Sequence, residues 1–123
     1  MQNDRLKFKD EFRKRAYKFA LDIIEFVDQL PKGQALNIIC DQLLRSATSI
    51  GANVAEAQAA TSRKDYANFF TYALKSANET KYWLNLLRDS GKAAGRSTDK
   101  LIQEAIEIAN ILAASIITLK GKR

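Results

Sequence analysis

The chain has 123 residues, of which 46% are hydrophobic and 28% charged, and 20 Lys and Arg outnumber 14 Asp and Glu to give a formal net charge of +6. The hydrophobic fraction excludes intrinsic disorder, and the length suits one domain with a single core over residues 1–123. The absence of His and the presence of one cysteine, Cys40, exclude His-based catalysis, the common zinc sites and an intramolecular disulfide. We therefore predict a protein that is not an enzyme, with no catalytic, metal-binding or cofactor-binding residues.

Four segments carry apolar residues at spacings that alternate between four and three, which places them along one face of an α-helix. The predicted helices cover approximately residues 6–30, 34–60, 63–90 and 98–120. We call each apolar series a core stripe. The core stripes are Phe12, Ala16, Phe19, Ile23, Phe26 and Leu30; Leu36, Cys40, Leu43, Ala47, Ile50, Val54 and Ala57; Tyr66, Phe70, Ala73, Ala77, Thr80, Leu84 and Leu87; and Leu101, Ala105, Ile108, Leu112, Ser115 and Leu119.

The residues between these segments are typical of helix ends. Pro31 ends the first helix, and Ser62, followed three residues later by an acidic residue, predicts the start of the third. Gly91 suits a left-handed residue after the third helix, and Ser97 or Thr98 is expected to cap the fourth. Short connections place consecutive helices side by side, so the predicted fold is all-α: an antiparallel up-down-up-down four-helix bundle.

The second helix has an outer face that is unusual for a solvated surface. Between residues 34 and 60 only Asp41, Arg45 and Glu56 are charged, and the face opposite the core stripe consists mostly of small side chains. One interpretation is a weakly charged exposed face. We favour burial against a second subunit, with the polar members forming a hydrogen-bonded network and aromatic and apolar residues of the third helix joining them. The predicted subunit interface comprises Arg45, Ser49, Ala52, Asn53, Glu56, Glu79, Tyr82 and Leu86.

Basic residues concentrate outside the second helix. Residues 1–20 carry seven basic and three acidic residues, residues 21–60 carry two and five, and residues 61–123 carry eleven and six. Binding of a polyanion by such a surface would be mainly electrostatic and weakly sequence-specific. No nucleic-acid-binding motif accompanies the charge. The predicted nucleic-acid-binding residues are Lys7, Arg13, Lys14, Lys18, Arg63, Lys64, Lys122 and Arg123.

The alternative is that these cations form an ordinary solvated surface. Glu11 could pair with Lys14 or Arg15, and Asp22 could pair with Lys18, since each pair is three or four residues apart. In that case the basic surface confers solubility and the protein is a purely structural or protein-interaction module.

We expect a cytoplasmic protein that is not inserted in a membrane. The first twelve residues carry charges where a signal peptide requires an apolar run. The longest apolar-leaning stretch, residues 111–119, is about half the length of a membrane span.

Residues 42–87 contain two motifs, one on the second predicted helix and one on the third. The residues that form them are Arg45, Ser49, Ile50, Asn53, Ala55, Glu56, Ser62, Asp65, Phe69, Ala73, Ser76 and Glu79. This region resembles the four-helix bundle proteins related to the open reading frame of bacterial large-subunit (23S) ribosomal RNA intervening sequences. That family reads like L-R-R-A-x-x-S-I-x-x-N-I-A-E-G on the second helix and S-x-x-(E/D)-F-x-x-F-L-x-I-A-x-x-S-x-x-E on the third. This sequence departs from the family at Gly51, where many members have Pro, and at Ala57, where many have Gly.

The resemblance implies a ring-like homopentamer of bundles without known catalytic activity. It also implies kinship with the accessory protein of diversity-generating retroelements, which binds its reverse transcriptase and nucleic acid through a basic surface. Five copies of this chain would carry a formal charge of about +30. The favoured hypothesis is therefore a non-enzymatic homo-oligomeric scaffold that binds RNA, DNA, or a nucleic-acid enzyme such as a reverse transcriptase.

Overall fold

The computed structural model describes residues 2–121, and within this range the chain forms four α-helices and no strand. Helix α1 spans Gln2–Asp28, α2 spans Gln34–Ala57, α3 spans Arg63–Asp89 and α4 spans Arg96–Gly121. The all-α, four-helix prediction is confirmed.

Most residues of the core stripes lie in the interior of the bundle, as their spacing predicts. Those that are half-buried near the ends of the first and fourth stripes are Phe26, Leu30, Leu101, Ser115 and Leu119. All seven stripe residues of α2 are buried, and six of the seven in α3 are buried, with Tyr66 partly exposed at the end of its series. On α4 a second apolar series joins the first, because Ile102 and Ala109 are also buried. The interior is thus built from side chains that repeat about once per turn on each helix.

The four helices are not packed equally. The contact between α2 and α3 is the most extensive, that between α3 and α4 is nearly as large, and α1 packs mainly on α2. The contact between α1 and α4 is much the smallest. The seam between these two helices is therefore the least filled part of the bundle.

The ends of α2 and α3 follow simple hydrogen-bonding rules. After Ala57 the chain continues with three bonds between residues three apart, so α2 tightens and ends before the expected residue 60. Ser62 caps α3, since its hydroxyl oxygen accepts from the Asp65 N–H at 3.0 Å. Gly91 has φ 78°, the left-handed conformation predicted for it.

The start of α4 differs from the expectation. The helix begins at Arg96, so Ser97 and Thr98 lie inside its first turn and neither is the cap. The Thr98 hydroxyl instead donates to the Ala93 carbonyl, and both residues are buried. Gly95, with φ 146°, allows the sharp change of direction just before the helix. The threonine therefore holds the α3–α4 connection against the bundle.

Among the described residues, α4 is the one helix long and apolar enough to cross a membrane. Its Ile102, Ile108 and Leu112 are buried against the other helices. About a third of its most apolar stretch is buried in this way, as in a helix that contributes one face to a core, and Ile117 is 72% exposed.

Candidate functional site

A polar cluster lies between α2 and α3. Thr80 is fully buried, and its Oγ1 lies 2.8 Å from both the Ser46 hydroxyl and the Ser76 carbonyl oxygen. The Ser46 hydroxyl in turn donates to the Leu43 carbonyl at 3.2 Å. The hydroxyls in this interior are therefore satisfied, which is required because an unpaired buried hydroxyl is costly.

A second layer of the cluster lies nearer the surface. The Ser76 hydroxyl donates to the Ser49 hydroxyl at 2.9 Å, and Asn53 Nδ2 donates to the Ser49 carbonyl at 2.9 Å and to its hydroxyl at 3.1 Å. Arg45, Ser49, Asn53 and Glu56 are the polar row predicted on α2. Of these, Ser49 binds α3 of the same chain, whereas Asn53 bonds to Ser49 within α2. The sequence analysis did not identify Ser46, although its position beside the core stripe, three residues before Ser49, was a usable signal.

The remaining members of the predicted subunit interface surround this cluster. Arg45, Ala52 and Glu56 are exposed, and the side chains of Arg45 and Glu56 form no hydrogen bond or ion pair with any described residue. Glu79 accepts from Trp83 Nε1 at 3.0 Å, which fixes the indole at the edge of the core. We call the exposed residues here the outer α2–α3 face: Ile38, Arg45, Ala52, Glu56, Tyr72, Glu79 and Tyr82, with Leu86 half-buried beside them.

Two large side chains of this face were missed by the sequence analysis. Tyr72 is 50% exposed and Ile38 is 60% exposed. Tyr72 packs edge-on against Phe69, with the ring centres 6.2 Å apart. Both positions fall outside the core stripes at helical spacing, which is the signal that would have identified them. Exposed aromatic and apolar side chains grouped on one surface are typical of protein–protein contacts.

A second exposed apolar series runs along α1. Leu6, Tyr17, Leu21 and Ile24 are between 41% and 66% exposed, and the last three are spaced by four and three residues. They share a side of the helix away from its core stripe. This apolar face of α1 was not predicted from the sequence.

Several of the predicted cations on α1 are engaged in ion pairs. Asp10 binds Arg13 at 2.6 Å and Lys14 at 3.1 Å, and Asp22 binds Lys18 at 2.8 Å. The hydrogen bonds from Arg13 and then Lys14 hold the pKa of the Asp10 carboxyl below its usual value. The Lys18–Asp22 pair matches the expectation.

The alternative interpretation allowed Glu11 to pair with Lys14 or Arg15, and it is the partner of neither. Arg15 reaches across to α4, where its Nε and Nη2 bind the two Glu104 carboxylate oxygens at 2.7 Å each, and Nη2 also binds Glu107 at 2.7 Å. Arg15 keeps a raised pKa, chiefly through the Glu104 hydrogen bonds, and Arg15 lowers the pKa of Glu107. This cation therefore joins two helices and is not available to a ligand.

The other predicted cations are distributed over two helices. Lys7 on α1 and Arg63 and Lys64 in the first turn of α3 are exposed, and none forms an ion pair with a described residue. Lys122 and Arg123 lie outside the described residues. Lys7, Arg63 and Lys64 are thus the predicted cations that have no carboxylate partner among the described residues.

Comparison with known proteins shows that the chain is similar to members of one protein family. The model of the 23S rRNA-intervening sequence protein family matches residues 9–114. A crystal structure of a protein of unknown function from the S23 ribosomal protein family of Bacteroides thetaiotaomicron is similar, with a TM-score of 0.80 and 36% identity, covering 85% of this chain and 97% of that one. No functionally curated protein matches the chain. These matches confirm the resemblance seen in residues 42–87.

Proposed function

The chain belongs to the 23S rRNA-intervening sequence protein family, and from this premise we propose that it is a non-enzymatic scaffold that assembles into a homo-oligomer and engages nucleic acid or a nucleic-acid-processing partner. The observation that carries the proposal is the outer α2–α3 face, where exposed aromatic and small side chains lie on a chain with net charge +6. Such a face favours association of subunits. An assembly then presents one copy of each basic surface per subunit, and these copies can bind a polyanion together.

The proposed subunit is an antiparallel up-down-up-down bundle. The residue pairs between α2 and α3 support this order, because Ser46 contacts Thr80 and Ser49 contacts Ser76, so the numbers increase on one helix as they decrease on the other. A bundle of this kind exposes the outer sides of α2 and α3 together. A second copy would cover that surface, and a ring of five copies is the assembly that the family resemblance suggests.

Assembly through the outer α2–α3 face is tested by Ala52→Trp. Ala52 is exposed on this face, so a bulky side chain there should obstruct a second subunit while leaving the core unchanged. Light scattering after size exclusion should show a wild-type oligomer and a smaller Ala52→Trp species with the same helical circular dichroism. Ala94→Trp, at an exposed position between α3 and α4, is the matched control and should assemble normally. A wild-type monomer at micromolar concentration would exclude the assembly.

Nucleic-acid engagement is tested by charge reversal at Lys7, Arg63 and Lys64. These cations are exposed and have no carboxylate partner among the described residues, so reversing them leaves the observed ion pairs intact. Fluorescence anisotropy with a labelled single-stranded RNA and a DNA duplex should show affinity that falls as salt rises. The logarithm of the association constant should fall linearly with the logarithm of the salt concentration. Loss of up to three phosphate contacts should make this line less steep by up to about 3 units.

The matched control is charge reversal at Lys32, Lys92 and Lys100, which are also exposed and change the net charge equally. If both triple variants lose affinity equally, binding follows net charge and no defined surface is involved. If affinity is flat in salt, or absent, the second candidate holds: a structural or protein-interaction module. The α1 ion pairs favour that candidate, because they neutralise Arg13, Lys14 and Lys18 in part.

A further inference from the structure

A groove of about 840 Å³ lies at one end of the bundle, beside the sparsely packed seam between α1 and α4. The first part of α1, the end of α2, the beginning of α3 and the second half of α4 all contribute to it. Its volume is within the range of sites that enclose small organic ligands, roughly 300–1,000 Å³. The groove is separate from the outer α2–α3 face, since the two share no residue.

One side of the groove is a continuous aromatic series. Phe8 stacks on Phe12 with 6.2 Å between ring centres, Phe12 meets Phe70 at 6.1 Å, and Phe70 meets Tyr66 at 4.9 Å. Phe12 and Phe70 are buried, whereas Phe8 is 49% exposed although it belongs to this series. An aromatic ring that extends a buried cluster into solvent leaves apolar surface for a ligand to cover.

The opposite side comes from α4. Ile111 and Leu119 are partly buried and present aliphatic surface, and Ala114 and Ser115 between them are small. Small side chains at this point leave room between α4 and the aromatic series. Most of the exposed lining surface is therefore apolar, and Gln58, Thr61, Ser62 and Thr118 add neutral polar groups to it.

The charged groups of the groove are all cationic. Arg5, Lys9 and Arg63 line it, and none of the described lining residues is Asp or Glu. Lys9 Nζ lies 5.0 Å from the centre of the Tyr66 ring, which holds the ammonium beside the aromatic series. A ligand that complements the groove has an apolar body and one anionic end.

We propose that this groove binds a single-chain anionic amphiphile, namely a long-chain carboxylate. The acyl chain lies between the aromatic series and α4. The carboxylate pairs with Arg5, Lys9 and Arg63. Burial of the chain supplies most of the affinity, and the cations set the preference for an anionic head group. A nucleic acid is less complementary to the groove, because it carries a negative phosphate at every nucleotide. The groove has three cations, and most of its lining is apolar.

The proposal is tested by calorimetric titration of the whole chain with decanoate, dodecanoate and tetradecanoate, each below its critical micelle concentration, and with dodecanol as a neutral ligand of equal length. Affinity should rise by roughly tenfold for every two methylenes. Dodecanoate should bind more tightly than dodecanol. Equal binding of the two, or affinity that does not depend on chain length, would overturn the proposal.

Occlusion of the groove provides the site-specific test. Ala114→Trp places an indole at an exposed lining position, whereas Asn110→Trp places one at an exposed position four residues earlier that does not line the groove. Ala114→Trp should weaken dodecanoate binding at least tenfold, and Asn110→Trp should leave it unchanged. Equal effects of the two substitutions on dodecanoate binding would refute the assignment. The assignment would also be refuted if dodecanoate did not bind the wild type and Ala114→Trp abolished self-association, because the groove would then belong to a subunit contact.

The charge contribution is tested separately with Arg5→Gln/Lys9→Gln/Arg63→Gln, compared with a triple Gln variant of the exposed cations Lys32, Lys92 and Lys100. The first variant should lose about tenfold in dodecanoate affinity and keep its dodecanol affinity. The second has the same net charge and should bind dodecanoate as the wild type does. Circular dichroism of every variant establishes that its helices are intact. Unchanged dodecanoate affinity in the first variant would contradict the role given to the cations.

Discussion

Arg15 provides the sharpest test of how α1 is held to α4. We expect Arg15→Met to lower the free energy of unfolding by about 1 kcal/mol. Two parallel bonds of 2.7 Å join its guanidinium to Glu104, and this fork geometry is the strongest form of ion pair. The two side chains are 35% and 32% exposed, so solvent screening limits the contribution to the upper part of the surface range. Methionine keeps the apolar stem, and the substitution therefore removes mainly the charge.

The effect should depend on pH in a defined direction. The hydrogen bond from Arg15, followed by that from Gln103, lowers the pKa of Glu107 below its ordinary 4.5. A carboxyl with a lowered folded-state pKa contributes stability that is fully present above the unfolded-state pKa and is lost as the pH falls through the folded-state value. The stability difference between wild type and Arg15→Met should therefore be constant above about pH 5 and shrink in more acidic solution.

The measurement is urea unfolding followed by far-UV circular dichroism, at one fixed protein concentration because self-association would add to the apparent stability. Lys18→Met is the control, since Lys18 is 74% exposed and pairs with Asp22 within the same helix at 2.8 Å. It should change the stability less than Arg15→Met does. An equal loss in the two variants, or an Arg15→Met loss that is unchanged in acid, would refute the assignment of Arg15 as the link between α1 and α4.

Three further substitutions test local features by the same unfolding measurement. Ser62→Ala removes the cap of α3 and should cost about 1 kcal/mol, whereas Ser97→Ala removes a hydroxyl that caps nothing and should cost much less. Gly91→Ala forces a β-carbon into a left-handed residue and should cost about 1 kcal/mol, whereas Gly33→Ala, at an extended residue with open space around it, should be nearly neutral. Thr80→Val keeps the shape of the fully buried side chain and loses its hydrogen bonds, at a cost of about 1 kcal/mol. Equal effects within either matched pair, or a neutral Thr80→Val, would contradict the corresponding assignment.

The core was predictable because its signal is local. Each stripe repeats with the period of the helix, so residues such as Leu43 and Leu84 could be assigned to the interior without knowing what they contact. The helix ends were predictable where one side chain decides them, as at Ser62. The start of α4 was not, because Thr98 is held by the Ala93 carbonyl in a buried connection whose path depends on the packing of two helices.

In the candidate site too, features set by residues near in sequence were predictable, and features set by the packing of distant residues were not. Sequence spacing suggested Glu11 as the partner of Arg15, because a carboxylate one turn away is the nearest one visible along the chain. The actual partners, Glu104 and Glu107, are about ninety residues distant and become neighbours only when α1 meets α4. The groove has the same origin, since it exists only where the ends of several helices meet.

The polar row of α2 combines two physical situations on one face. Ser49 and Asn53 complete their hydrogen bonds within the chain, and Ser49 joins α2 to α3 through Ser76, so we expect substitutions there to reduce the stability of the subunit itself. Arg45 and Glu56 lie on the same face, are exposed and bind no described residue, so an alanine at either should leave the isolated subunit almost unchanged. If the outer α2–α3 face is a subunit contact, those two substitutions should weaken assembly because an interface would supply the missing partners. A motif that looks uniform in sequence thus separates into residues that hold the bundle together and residues whose role depends on a second copy.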